Sequence, residues 1–307
     1  MLPRMPNHLT VALPAAQRLE IDGRSGRLSY HVAGEGSPVL LLHSINAAAS
    51  AYEIRPAFEH AMRSRRVYAP DLPGYGFSDR SSRRYDITLF CAAVRDMLDV
   101  IDADQRRTQR IDALALSLSA EFLARVAAEE PQRFRSLALV TPTGFRRGSQ
   151  NLRAAPGSSR ELRGLYPALT FPLWGSALFG ALVTRASIRY FLKRTFGSDQ
   201  VDEGLVDYAW QTTHQPGAQH APFAFLAGRL FSADIRAIYE RLRTPVWLAH
   251  GTRGDFRDFS EAQWLQQTSN WTVQSFATGA LIYFEQPTLF YQHWDAFLAS
   301  AGPVRAG

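Results

Sequence analysis

A serine with small neighbours is the first residue of this sequence that could do chemistry. Ser117 stands at the centre of the run ALSLS, with Ala115 and Ser119 two positions away on either side. A serine nucleophile on a sharp strand-to-helix turn needs small residues there, because larger side chains would collide as the backbone tightens. The start of the following helix would place a positive dipole end beneath the hydroxyl. The five residues also fit a serine that only caps a helix, and alone they do not separate the two readings.

Two further loops follow short apolar runs in the same half of the chain. The segment DLPGYGFSDR spans residues 71–80, and LLHSINAAA spans residues 41–49. Together with the serine run, they resemble the α/β-hydrolase family of the esterase, haloperoxidase-like and C–C hydrolase kind. That family has a His-Gly turn after its third strand, a D-x-P-G-x-G-x-S loop after its fourth and an elbow serine after its fifth. The resemblance covers residues 18–145 and 240–300, and DLPGYGFSDR is its most specific part.

The resemblance implies a nucleophile and an oxyanion hole. Ser117 takes the place of the nucleophile, and the backbone N–H groups of Leu118 and Ile45 would stabilise the oxyanion. Ser44 stands where the family usually has the glycine of its His-Gly turn. Ser44, Asn46 and Tyr283 are expected near the pocket by their positions in the family pattern.

The catalytic acid is expected in the loop after the apolar run PVWLAH. The family usually has Gly-x-x-Asp here, whereas this sequence has GTRGD, with one extra residue before Asp255. Asp255 is the expected acid and Asp258 is the alternative. Either residue could also be an ordinary solvated loop carboxylate.

The expected catalytic histidine is missing from its place in the pattern. The segment TGALIYFEQP spans residues 278–287, and its glycine and its Glu-Gln-Pro align without gaps to the end of the family pattern. The residue after the glycine is Ala280, which cannot take a proton from Ser117. Three explanations stay open: divergence to non-hydrolytic work, a base recruited from the inserted segment, such as His214 or His220, or an engineered His-to-Ala change.

Strands that alternate with helices must position these residues. The run PVLLLH is continuously apolar, as is typical of a strand that is covered on both faces. With the later apolar runs and the helices between them, it predicts an α/β fold that has a mostly parallel sheet flanked by helices. Between Thr143 and about Arg243 no strand signal is strong, and helix-like periods predict an inserted helical cap. The expected division is a core of residues 17–145 and 240–300, a cap of residues 146–239, and tails of residues 1–16 and 301–307.

Composition excludes several classes of function. The net charge is +6, but the arginines are scattered and not interleaved with stacking aromatics, so no nucleic-acid partner is expected. Cys91 is the sole cysteine, which fits a reducing compartment, and a cytoplasmic location is expected. The longest apolar stretch, residues 168–184, is short and broken by Pro172 and Gly175, so no transmembrane segment is predicted. No signal peptide is predicted either.

Two hypotheses for function follow from these residues. The first is a serine hydrolase that acts on an ester or related acyl or C–C bond of an apolar small molecule, without metal or cofactor. The second is a non-hydrolytic homologue that binds an apolar small molecule as a receptor, carrier or accessory factor. The aromatic residues of the cap suggest an apolar ligand, although packing of the cap itself explains most of them. The sequence does not determine the oligomeric state.

Overall fold

A mixed sheet of eight strands forms the centre of the protein in a computed structural model that describes residues 9–106 and 109–302. The strands are β1 (Gln17–Gly23), β2 (Gly26–Ala33), β3 (Pro38–Leu42), β4 (Arg66–Pro70), β5 (Ile111–Leu116), β6 (Phe134–Val140), β7 (Val246–Gly251) and β8 (Trp271–Phe276). Their order across the sheet is β1-β2-β4-β3-β5-β6-β7-β8. β2 runs antiparallel to both β1 and β4, and all other neighbouring strands are parallel.

Helices cover both faces of this sheet. They are α1 (Arg55–Ala61), α2 (Ile87–Asp104), α3 (Ser119–Glu129), α4 (Leu165–Leu169), α5 (Gly175–Leu182), α6 (Arg185–Phe196), α7 (Glu203–Thr213), α8 (His220–Leu226), α9 (Ile235–Arg241), α10 (Ile282–Glu285) and α11 (Pro287–Ser300). Residues of α2, α3 and α9 share one apolar cluster with one face of the sheet. Residues of α1, α10 and α11 share a second cluster with the other face. The predicted fold class, a mostly parallel sheet flanked by helices, is confirmed.

The central strands are almost entirely apolar because both of their faces are covered, and Asp112 of β5 is an ion-paired exception. All five residues of β3 and all six of β5 are buried. Leu40 and Leu42 belong to one apolar cluster, whereas Val39 and Leu41 belong to the other, as the alternation of side chains along a strand requires. The carboxyl ends of β3 and β5 are therefore neighbours, and the loops that follow them meet at one edge of the sheet.

The chain between β6 and β7 contains helices α4 to α9 and no strand longer than an isolated bridge. The last of these helices, α9, packs against α3, one of the helices that cover the sheet. The expected boundary at residues 239 and 240 thus falls inside a helix that belongs, by its packing, with the core. The division into core and cap otherwise stays a prediction, and no helix in the described ranges is long and apolar enough to cross a membrane.

The expected amino-terminal tail, residues 1–16, is in part packed. Its first eight residues lie outside the described ranges, but Ala12 and Leu13 are buried. The Tyr208 hydroxyl of α7 donates a hydrogen bond to the carbonyl of Thr10, at 3.0 Å. The expectation of a free tail is wrong for residues 9–16, because two apolar side chains there reach the core. Of the expected tail 301–307, only Ala301 and Gly302 are described.

Candidate active site

Ser117 lies on a sharp turn between β5 and α3. Its φ is +56°, a left-handed conformation that is costly for a residue with a Cβ atom. Its backbone N–H donates to the carbonyl of Val140 at the end of β6, over 2.9 Å, which fixes the turn against the sheet. The strand, the strained turn and the helix occur in the order that the run ALSLS predicts, which is the geometry of a nucleophile elbow.

The small residues beside the serine are closely packed. Ala115 and Ser119 are completely buried. The Ser119 hydroxyl donates a hydrogen bond to the carbonyl of His43, which ties the elbow to the loop after β3. Larger side chains at these two positions have no space, and this explains the pattern from which the turn was predicted.

Two backbone N–H groups beside the serine have no acceptor among the described residues. They belong to Leu118, which follows Ser117, and to Ile45, in the loop after β3. Both residues and Ser117 line the same cavity. Unpaired backbone N–H groups at a cavity that also contains a serine are what an oxyanion hole requires. The predicted pair is therefore brought together with the predicted nucleophile.

The loop after β3 is held by a buried carboxylate that the sequence reasoning missed. Glu53 accepts a hydrogen bond from the N–H of Ser44 and another from the side-chain amide of Asn46, each at 3.0 Å. The same amide donates to the Ser44 hydroxyl at 2.8 Å. Ser44 and Asn46 line the cavity as expected, and Glu53 lines it beside them. A serine is tolerated in place of the glycine because φ at Ser44 is not in the left-handed region that favours glycine.

Burial raises the pKa of Glu53 to about 7, although the hydrogen bonds from Ser44 and Asn46 act in the opposite direction. A carboxyl group with such a pKa can exchange a proton near neutral pH. The sequence offers only a slight sign of this buried carboxyl. Glu53 is the one charged residue in the run AAASAYEI, which spans residues 47–54. Its burial depends on α7 and α10, which are distant in sequence.

His43 has a structural role. Its Nε2 accepts the N–H of Leu72, at 2.9 Å, so its Nδ1 carries the proton and donates to the carbonyl of Ser44, at 2.7 Å. Burial lowers the pKa of His43 to about 4, and the ring is neutral. This histidine joins the loops after β3 and β4 and does not line the cavity beside Ser117.

The cavity has a volume of about 280 Å³ and is apolar over most of its wall. The polar residues that line it include Ser117, Ser44, Asn46 and Glu53. The inserted helices supply most of its apolar wall, including Leu182, Ile188, Phe191, Leu205, Phe225 and Phe231. In residues 9–106 and 109–302 no group of three or more His, Cys, Asp or Glu side chains is placed to hold a metal ion.

Of the two candidate acids, Asp255 is the one at the cavity. It lies at the cavity wall, and its half-exposed carboxylate is paired with the guanidinium of Arg194 on α6, at 2.6 Å. Asp258 instead accepts the N–H groups of Ser260 and Arg147, at 3.0 and 3.2 Å, and does not line the cavity. The partner of Asp255 is thus an arginine, where a triad would have a histidine.

Ala280 lines the cavity in the place where the family pattern has its histidine. Its N–H donates to the carbonyl of Thr195, and its carbonyl accepts the Thr141 hydroxyl, both at 2.9 Å. The end of α6 therefore covers this loop.

No histidine of the described residues lines the cavity. His214 is held by the carbonyl of Trp210, at 2.7 Å, and His250 stacks on Phe259. The suggestion that His214 or His220 supplies a base has no support in this arrangement.

The expectation that Tyr283 faces the pocket is wrong. Its side chain is buried in the apolar cluster under α11, and its ring meets Phe290 edge-on, with 5.2 Å between centroids. Tyr283 follows Ala280 by three residues in a short helix, and that helix turns the ring away from the cavity and into the core. Burial, together with the nearby Glu53, raises the pKa of its hydroxyl.

The sheet order, the strained serine turn after β5 and the helices inserted between β6 and β7 define the class of α/β-hydrolase-fold proteins. The chain belongs to the alpha/beta hydrolase family, because the sequence profile of that family matches residues 39–303. This is a family of hydrolases, and the similar proteins include a 2-hydroxy-6-oxo-2,4-heptadienoate hydrolase and a serine hydrolase.

Similar proteins include an uncharacterized protein of Mycobacterium tuberculosis, 30% identical over 136 residues, which cover 44% of this chain and 37% of that protein. A 2-hydroxy-6-oxo-2,4-heptadienoate hydrolase of Pseudomonas putida is 30% identical over 116 residues, which cover 37% of this chain and 40% of the hydrolase. The matches thus span about two fifths of the length of these curated relatives.

A solved structure with the same fold is that of a serine hydrolase involved in carbazole degradation, with a TM-score of 0.72 and 15% identity. That likeness covers 93% of this chain and all of the other. At this identity the likeness concerns the fold.

Proposed function

We propose that this protein hydrolyses an ester, or a related acyl or C–C bond, of an apolar small molecule, with Ser117 as the nucleophile. The observation that carries the proposal is the strained turn at Ser117, with φ of +56°, beside two N–H groups that have no protein acceptor. Backbone strain of this kind persists where surrounding structure and function require it. The apolar walls of the cavity favour an apolar acyl or ring-containing substrate.

The reaction needs a group that takes the proton of Ser117. Removal of the base from a serine hydrolase costs about 10⁶-fold in turnover, or roughly 8 kcal/mol. Ala280 offers no such group, and Asp255 is paired with Arg194. We infer that Glu53 fulfils this role, because it is a cavity-lining carboxyl with a pKa of about 7. Its two hydrogen-bond donors, Ser44 and Asn46, hold it in the wall from which Ile45 also faces the cavity.

A second function is favoured by one observation, the lack of a histidine at the cavity among the described residues. In this alternative the protein binds an apolar small molecule without turnover, and Ser117 acts as a hydrogen-bonding group. The cavity of about 280 Å³ suits a small ligand in either case. The two functions differ in one measurable property, the reactivity of the serine.

A fluorophosphonate probe and a panel of p-nitrophenyl esters distinguish them. We expect the unchanged protein to be labelled and to hydrolyse at least one ester slowly, and both properties to be lost in Ser117→Ala. Ser275→Ala, an exposed serine on β8, is the matched control and should behave like the unchanged protein. We expect Glu53→Gln to abolish the rise of the rate between pH 6 and 8 that a base with a pKa of about 7 produces.

Ala280→His adds the missing imidazole in the same background. If only this variant hydrolyses esters, then the site is complete except for its base, and Glu53 does not act as one. If neither the unchanged protein nor Ala280→His reacts with the probe, the hydrolase proposal is wrong and the binding function remains.

A further inference from the structure

The connection between α4 and α5, together with the first turn of α5, exposes large apolar side chains to solvent. Leu173 is 84% exposed, Trp174 50%, Phe171 42% and Leu178 37%. We call these four residues the apolar tip. Exposed apolar side chains are normal when they are scattered singly, whereas four within eight residues are typical of an interaction surface.

The apolar tip has a defined conformation. The indole N–H of Trp174 donates to the carbonyl of Ala168, at 2.8 Å, and the Trp174 ring lies against that of Phe171, with 4.4 Å between centroids. The backbone N–H of Gly175 donates to the carbonyl of Phe171, at 2.8 Å. The tip is therefore presented by a fixed turn, and its exposure does not come from a stretch of chain without contacts.

The segment that carries the tip lacks charges, but the residues that flank it in the sequence are basic. Residues 165–184 contain no Asp, Glu, Lys or Arg. Residues 162–198 contain four arginines, one lysine and no acidic residue, although Arg185, Arg189, Lys193 and Arg194 are ion-paired with acidic residues outside that range. Arg163, just before α4, and the exposed Arg153 have no acidic partner among the described residues.

This charge distribution identifies the kind of partner. A second copy of the chain would bring the same positive segment against itself, which is unfavourable. An anionic lipid surface offers both apolar depth for the tip and negative charge for the arginines. Tryptophan is moreover the residue that prefers the boundary between lipid and water.

The tip also adjoins the cavity. Leu182, one helical turn beyond Leu178 on α5, lines the cavity, and so do Phe191 and Leu226, which are themselves partly exposed. The apolar surface thus continues from the tip toward the cavity wall. A surface of this kind would bring the mouth of the cavity close to molecules dissolved in the lipid.

We propose that the apolar tip docks on the surface of an anionic lipid bilayer and lies within its interface. The side chains of the tip enter the region of the headgroups and upper acyl chains, while the arginines stay at the charged surface. This inference concerns binding alone and does not depend on turnover at Ser117.

Flotation of the full chain with lipid vesicles tests the proposal. Vesicles of phosphatidylcholine and phosphatidylglycerol in a 70:30 ratio are compared with vesicles of phosphatidylcholine alone. We expect the protein to float with the anionic vesicles and more weakly with the neutral ones, and we expect added salt to weaken only the binding to the anionic vesicles. Leu173→Asp should lower the partition constant for anionic vesicles roughly tenfold or more, because a leucine that enters the bilayer on binding is replaced by a charge.

Leu289→Asp is the matched control for Leu178→Asp, since Leu289 on α11 is similarly exposed, at 42%. We expect Leu178→Asp to weaken flotation and Leu289→Asp to leave it unchanged, with the same thermal unfolding temperature for both. Equal effects of the two variants, no flotation of the unchanged protein, or equal binding to neutral and anionic vesicles would each overturn the proposal. A dimer in sedimentation experiments that Leu173→Asp dissociates would show that a second copy occupies the tip instead.

Discussion

The buried carboxyl of Glu53 makes the stability of this protein depend on pH in a direction that can be worked out. Burial raises the pKa of this carboxyl from its ordinary value of 4.5 to about 7 in the folded chain. The folded state therefore binds more protons than the unfolded state between these two pH values. The free energy of unfolding must fall as pH rises through this window. The contribution of Glu53 is fully present below pH 4.5 and is lost above pH 7.

The size of the effect follows from the same two values. One pKa unit corresponds to 1.36 kcal/mol, so the difference between 4.5 and about 7 amounts to about 3 kcal/mol. Glu53→Gln keeps the volume of the side chain and removes its ionisation. The N–H of Ser44 and the amide of Asn46 donate to different carboxylate oxygens, so the NH2 group of a glutamine would replace one acceptor and leave one of these donors without a partner. At pH 4 the variant should therefore have a lower free energy of unfolding than the unchanged protein. Between pH 4 and pH 8 its free energy of unfolding should rise by about 3 kcal/mol relative to that of the unchanged protein.

Urea unfolding between pH 4 and 8 measures this difference. The free energy of unfolding of Glu53→Gln minus that of the unchanged protein is plotted against pH, and the slope should be confined to pH 4.5–7. Glu240→Gln, at an exposed position, corrects for the general effect of removing one carboxylate. A difference that stays constant with pH, or that falls as pH rises, would refute the reasoning about the burial of Glu53.

Two further predictions concern the elbow and the strand before it. Ser117→Gly should be about 1 kcal/mol more stable than Ser117→Ala in urea unfolding, because glycine adopts a φ of +56° without the strain of a Cβ atom; equal stabilities would contradict a strained turn. Asp112 on β5 is buried and paired with Arg135 and with Arg65, the latter at 2.7 Å. Asp112→Ala should cost about 3–5 kcal/mol of unfolding free energy, since it leaves buried guanidinium groups unpaired, and a loss below 1 kcal/mol would contradict this account.

The strands and helices that follow each other closely along the chain could be predicted from the sequence. Apolar runs such as those of β3 and β5 are long enough to require burial on both faces, and the helices between the strands show their own periodicity. A strand can also extend beyond its continuous apolar run: β6 begins at Phe134, whereas the run LALV begins at Leu137. Arg135 weakens the apolar signal, but it lies beside Asp112 and is buried by that pairing.

Contacts between distant segments could not be predicted in this way. Asp255 was singled out from its place after β7, but its pairing with Arg194 joins residues of α6 and of a later loop. Tyr283 was placed by alignment with a pattern, and a short helix turned its ring into the core. Glu53 was missed altogether, because its sequence neighbours do not show that distant helices would cover it.

By itself the sequence predicted a tight turn between strand and helix at Ser117, which the structure has, and it placed Ala280 where the family pattern has a histidine, which stays a prediction. Both results depend on residues that are neighbours along the chain, where sterics and motif spacing act directly. Only the tertiary structure decided what surrounds that serine. It brought Ile45 and Leu118 to one cavity, buried Glu53 in its wall and left the histidines of the described residues elsewhere. The physical reason is that the pKa of a group, and the pairing of an N–H group, depend on whether folding shields that group from water. The segments that shield these groups are far apart in the chain.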